Sequence, residues 1–176
     1  NGLQKLLDRV SQDPTFLNGK GEEYLKSLVT HLIDPGQINQ GNRAGCGVVA
    51  AMYKVANENP ERYAKFAVDL VLRGEANLNG EKVTFDRSSL ENMNNSFQPS
   101  KHKGLDFAER VMMASLLEFA SGGDYDLSSD KQLKTTSVYN STGQVVDSVS
   151  GYSGLFRFQY NKVLNALTGE TFKVVD

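Results

Sequence analysis

The sequence predicts an α-rich α+β domain. Three observations carry that expectation. Apolar residues recur at helical spacing through much of the chain, a single tight-hairpin signal stands at Asn79-Gly80, and residues 123 to 154 change character, with 14 of 32 being Ser, Thr or Gly. The 176 residues suit one compact unit rather than two large domains. We divide it into N-terminal helices over 1–35 and a main domain over 36–176.

Leu3, Leu6, Leu7 and Val10 share one helical face, and Leu25, Leu28, Val29 and Leu32 do the same between Glu22 and Ile33. Asp34-Pro35-Gly36 ends the second helix, because Pro disfavours helical geometry in the residue before it and Gly accepts a left-handed cap. A polar loop, Gln37 to Gly45, leads to Cys46. The next ten residues, Gly47 to Ala56, are apolar on nearly every side, as a helix at the centre of a core must be.

Asn59-Pro60-Glu61 restarts a helix with Pro at its first position, and Tyr63, Phe66, Ala67, Leu70 and Val71 form its inward face up to Gly74. Asn79-Gly80 between Leu78 and Lys82-Val83-Thr84-Phe85 predicts a two-residue hairpin. A helix follows at about Leu105 to Phe119, then a long loop with short strands near Val138 and over 144–149. Phe156 to Leu167 returns to helical spacing, and Thr171 to Val175 reads as a terminal strand.

Composition excludes several classes. With 19 basic against 21 acidic residues the chain has no basic footprint for nucleic acid, and Lys101-His102-Lys103 is too short to supply one. No apolar run approaches the roughly 20 residues that cross a bilayer. Neither a phosphate-binding loop nor a dinucleotide fingerprint is present, so no cofactor is expected. One Cys excludes an intrachain disulfide. With only two His, a zinc site would have to borrow carboxylates, and none is predicted. Asp124, Asp126 and Asp130 lack the central Gly and closing Glu of an EF-hand loop, and read as an acidic surface loop.

Cys46 is the candidate nucleophile. A thiol at a helix N-terminus is held among free backbone N–H groups and the positive end of the helix dipole, which favour thiolate and can also face an oxyanion. Gln40, six residues earlier, can fold back to donate a second oxyanion hydrogen bond. Gly45 and Gly47 flank the thiol and leave room for a substrate carbonyl, and Arg43 reads either as a contact to a substrate carboxylate, as a charge that lowers the Cys46 pKa, or as a solvated loop side chain. Asn39 and Asn42 are expected to shape the loop through bonds to nearby backbone.

In the run Asn39-Gln40-Gly41-Asn42-Arg43-Ala44-Gly45-Cys46-Gly47 the sequence resembles the papain-like cysteine peptidases, and among them the calpain-like enzymes and related domains of bacterial effectors and toxins. The Asn59-Pro60 restart, Leu116 to Gly122 and Ala166-Leu167-Thr168-Gly169 follow in similar order. Gly47 and Val48 depart from the family in replacing the aromatic residue that usually follows the nucleophile. The resemblance implies a papain-like helical lobe whose buried helix is started by the Cys, acyl transfer to Cys46 from a protein or peptide substrate, and a secreted bacterial setting.

In the families resembled, a His and then an Asn or Asp come from a later β-rich half. Here no His follows His102, which lies in a basic loop and reads either as a solvated side chain or as the base for Cys46. His31, beside Leu28 and Leu32, reads as a partly buried packing residue. The expectation is a Cys-bearing part whose β-half is incomplete, completed by a C-terminal segment or second chain that supplies the His and its partner. The alternative is a non-catalytic papain-like module that binds a partner protein.

Overall fold

Helical propensity and caps in the sequence become helix ends in the structure. A computed structural model describes residues 1–39, 46–86, 105–123, 125–126, 131–132, 136–139, 144–149, 155 and 157–172. Asn1 caps α1 (Gly2–Gln12) by accepting the Leu3 N–H at 3.0 Å. Helix α2 spans Gly21–Ile33 and gives way to a 3-10 turn, Pro35–Gln37, in which Asp34 accepts the Gly36 N–H. Cys46 opens α3 (Cys46–Glu58), and Asn59 caps α4 (Pro60–Arg73) by accepting the Arg62 N–H at 3.0 Å.

Strands β1 (Glu75–Leu78) and β2 (Glu81–Thr84) pair antiparallel around Asn79 at φ 54° and Gly80 at φ 85°. Two successive left-handed residues make the tight turn that Asn-Gly favours. Helix α5 covers Phe107–Ser121 and α6 covers Arg157–Thr168. Between them lie two further antiparallel pairs, β3 (Tyr125–Asp126) with β4 (Lys131–Gln132) and β5 (Thr136–Tyr139) with β6 (Val145–Val149). The molecule is therefore α-rich α+β, as expected. Among the described residues no helix is long and apolar enough to cross a membrane.

One hydrophobic core joins the helices. Tyr24, Leu28, Met52, Tyr63, Phe66, Phe107 and Met112 are buried in it, and α1 contributes Leu6. Helix α5 is buried nearly all round, which fits its Ala-, Met- and Leu-rich sequence. The Tyr24 ring meets Phe107 edge-on at 6.2 Å, and its hydroxyl donates to the Ala67 carbonyl at 2.9 Å, so an aromatic body and its polar tip are both accommodated.

Helix α6 is locked to the earlier helices at both ends. A Cβ on Gly47 would lie 2.8 Å from Cδ2 of Tyr160, so the absence of a side chain lets α3 and α6 approach. At the other end, the Arg62 guanidinium donates to the Leu167 carbonyl and, at 3.0 Å, to that of Ala166, satisfying carbonyls that a helix C-terminus leaves free.

The terminal strand is corrected at its start. Thr171 and Phe172 are irregular, because the Phe172 N–H donates to the Asn165 side chain at 2.8 Å instead of to a strand, and its ring packs on the core. The rest of that expected strand, 173–175, lies outside the described residues, as do Asp124 and Asp130; Asp126 lies in β3.

Candidate functional site

Two helix N-termini hold the residues of interest. At the start of α3, Cys46 is exposed, while Val48, Ala51, Met52 and Val55 carry the helix into the core. The thiol thus stands on a rigid, buried support. Gly47 follows it, half-buried against Tyr160, and its lack of a side chain has a packing cause at this position. Gln40, Arg43, Gly45 and Asn42 lie outside the described residues, as does His102.

The second terminus is that of α5. Asp106 is its N-cap, accepting the Glu109 N–H through Oδ1 at 2.9 Å, while Glu109 Oε2 accepts the Asp106 N–H at 2.8 Å. This is a reciprocal capping box. The remaining oxygen of each carboxylate turns toward α2, where Nε2 of His31 lies 2.8 Å from Asp106 Oδ2 and 3.7 Å from Glu109 Oε1. The other ring nitrogen, Nδ1, lies 2.9 Å from the Tyr63 hydroxyl on α4. Every hydrogen-bonding group is satisfied when Nε2 donates to Asp106 and Tyr63 donates to Nδ1.

His31 is therefore corrected: it is fully buried and bonded through both nitrogens, where a partly buried packing residue was expected. Its role is polar. Tyr63 and Glu109 are buried with it, and Asp106 is about one-third exposed. Burial, then the Asp106 carboxylate, pushes the Glu109 carboxyl up to about 7, against the opposing pull of the Asn39 and Asp106 N–H groups and His31. The Tyr63 hydroxyl is held well above its ordinary value, first by burial and then by Tyr24, Asp106 and Glu109.

The cluster reaches the edge of the loop that leads to Cys46. Glu109 Oε1 accepts the Asn39 backbone N–H at 2.6 Å, and Asn39 Nδ2 donates to the same oxygen and to the Gln37 carbonyl, each at 3.3 Å. The local bond to Gln37 was expected of Asn39. The anchor to a residue 70 positions away was not. A sequence signal did exist for part of it: Asp106-x-x-Glu109 ahead of an apolar run is the capping-box pattern.

Chemically, the described residues offer an exposed thiol at one helix start and, at the other, an imidazole and two carboxylates that a metal ion could share. Compared with protein-family models, curated proteins and solved structures, the chain matches none.

Proposed function

We propose that this chain is a cysteine-nucleophile acyl-transfer domain, acting as a papain-like peptidase of a bacterial effector or toxin. The observation that carries the proposal is the exposed Cys46 as the first residue of a helix that otherwise enters the core. Its thiolate attacks a peptide carbonyl carbon, the oxyanion is held by the Cys46 N–H and the Gln40 amide, and collapse expels the amine and leaves a thioester. Water then attacks the thioester, releasing the acid and the thiol. Deamidation and acyl exchange use the same intermediate with a different acyl donor or acceptor.

The base for Cys46 is not His31, whose nitrogens are both engaged in the interior. That leaves His102, or a His on a second chain or C-terminal segment. The engagement of His31 also favours a second reading, a non-catalytic module that retains the papain-like helices and binds a partner protein.

Iodoacetamide labelling at pH 6.5 separates the two. Under the enzyme reading, Cys46 in the folded chain alkylates faster than the same thiol in the chain unfolded by urea, and a peptidyl electrophile labels it stoichiometrically. Equal or slower labelling when folded favours the binding module and sets aside the enzyme.

A further inference from the structure

We propose that His31, Asp106 and Glu109 form a binding site for one divalent transition-metal ion, of the zinc class, that fastens α2 to the N-terminus of α5. The inference does not depend on Cys46 or on acyl transfer. It begins with convergence: Nε2 of His31, a carboxylate oxygen of Asp106 and one of Glu109 all lie within 4.8 Å of one another. A tetrahedral ion about 2.0–2.1 Å from its ligands sets them roughly 3.3 Å apart. The observed separations of 2.8 Å and 3.7 Å from Nε2 lie on either side of that value.

The supports are those of a built coordination shell. Each carboxylate fixes one oxygen in the capping box, the second oxygen of Asp106 meets His31, that of Glu109 lies 3.7 Å from His31 while also accepting the Asn39 N–H, and Nδ1 of the imidazole is held by Tyr63. Metal-bound carboxylates and histidines are oriented by such outer bonds. Tyr63 and the α5 backbone therefore fix the donors before any ion arrives.

Charge points the same way. Glu109 is fully buried, Asp106 sits beside it, and among the described residues the basic partner of both is His31 alone. Two acids, one of them fully buried, meet a single imidazole, and buried charges are met by ion pairs or metals, so a divalent cation placed among them would have two acid partners. An ion on Nε2 would need the neutral imidazole to carry its proton on Nδ1 instead, where the ring N–H would donate to the Tyr63 hydroxyl oxygen and no proton need be lost from the ring. One imidazole and two carboxylates suit zinc and its neighbours better than calcium, which takes six to eight oxygens, or magnesium, which keeps its waters. The one-third exposed side chain of Asp106 gives a route from solvent.

The test is calorimetric titration of Zn²⁺ into the EDTA-treated full chain carrying Cys46→Ala, which removes the competing thiol. We expect one equivalent to bind and to raise the melting temperature with increasing Zn²⁺. Asp106→Asn and Glu109→Gln each weaken binding about 100-fold or more, while circular dichroism stays helical because Asn and Gln still make the capping-box bonds. Absence of saturable Zn²⁺ uptake overturns the proposal. So does uptake equally strong in both variants, which would put the ion elsewhere.

Discussion

The starts of α3 and α5 are both entrances to buried helices, yet they are built in opposite ways. At α5 the first turn is closed: Asp106 and Glu109 cap each other, and His31, Tyr63 and Asn39 bond to them. At α3 the first residue is an exposed Cys, the residue before it is a Gly with no side chain to act as a cap, and the first turn holds no acidic group. A helix N-terminus is a cluster of unsatisfied donors. In α5 the protein uses those donors for cohesion, while among the described residues α3 begins at an exposed Cys with no acidic group in its first turn. Stability should therefore respond to substitution at the first and activity at the second.

The largest effect expected on that contrast is His31→Ala. It leaves the Tyr63 hydroxyl without its imidazole partner and opens a cavity beside Asp106 and Glu109, whose other bonds remain, and such a loss costs about 3–5 kcal/mol. Urea unfolding with EDTA present measures it, and a midpoint equal to that of the parent would show that α5 is not closed as described.

A smaller effect comes from acidity. Glu109 has an ordinary value of 4.5 and is held at about 7 in the fold, so between those values the folded chain keeps a proton that the unfolded chain has lost. Stability is full below about pH 4.5 and falls as pH rises through 7, by at most about 3 kcal/mol from this group. Unfolding free energy measured across that range in EDTA should slope downward in the parent and flatten in Glu109→Gln; parallel profiles would refute the assignment.

Next is Gly47→Ala, which drives a methyl to within 2.8 Å of the Tyr160 ring and is expected to cost about 1–3 kcal/mol. Thermal melts of the single variant and of its combination with Tyr160→Ala would reveal the coupling, since the clash vanishes with the ring. Smallest of all is Cys46→Ser. The side chain is exposed, so stability should move by no more than about 0.5 kcal/mol, while the proposed peptidase activity, if it rests on this thiol, disappears. Retained turnover in this variant would remove the chemistry from the start of α3.

Much of the contrast's scaffold was legible in advance. Helical spacing located α1, α2, α4, α5 and α6 within a few residues, and Asn79-Gly80 identified the β1–β2 turn, because each is decided by neighbours along the chain. Cys46 was correctly read as a helix start for the same reason. The closed end was not legible. Periodicity says that His31 and Tyr63 point inward but not that they meet, and the acids that join them stand 75 and 78 positions beyond His31. A buried polar group is specified by its partner, and that partner is chosen by tertiary packing. Phe172 shows the same limit on a shorter scale, its N–H being taken by Asn165 rather than by a strand.

The position of α6 bears on how the protein is made. Its Tyr160 covers Gly47, and its last carbonyls are held by Arg62 from more than 100 residues earlier. While the ribosome is still adding the strands before it, α3 and α4 have emerged without the helix that seals them. Such long-range closure slows folding and leaves apolar surface waiting. The nascent chain therefore keeps α3 incompletely packed until α6 has been synthesised, and a chaperone that shields α3 during that interval would have its greatest effect on yield.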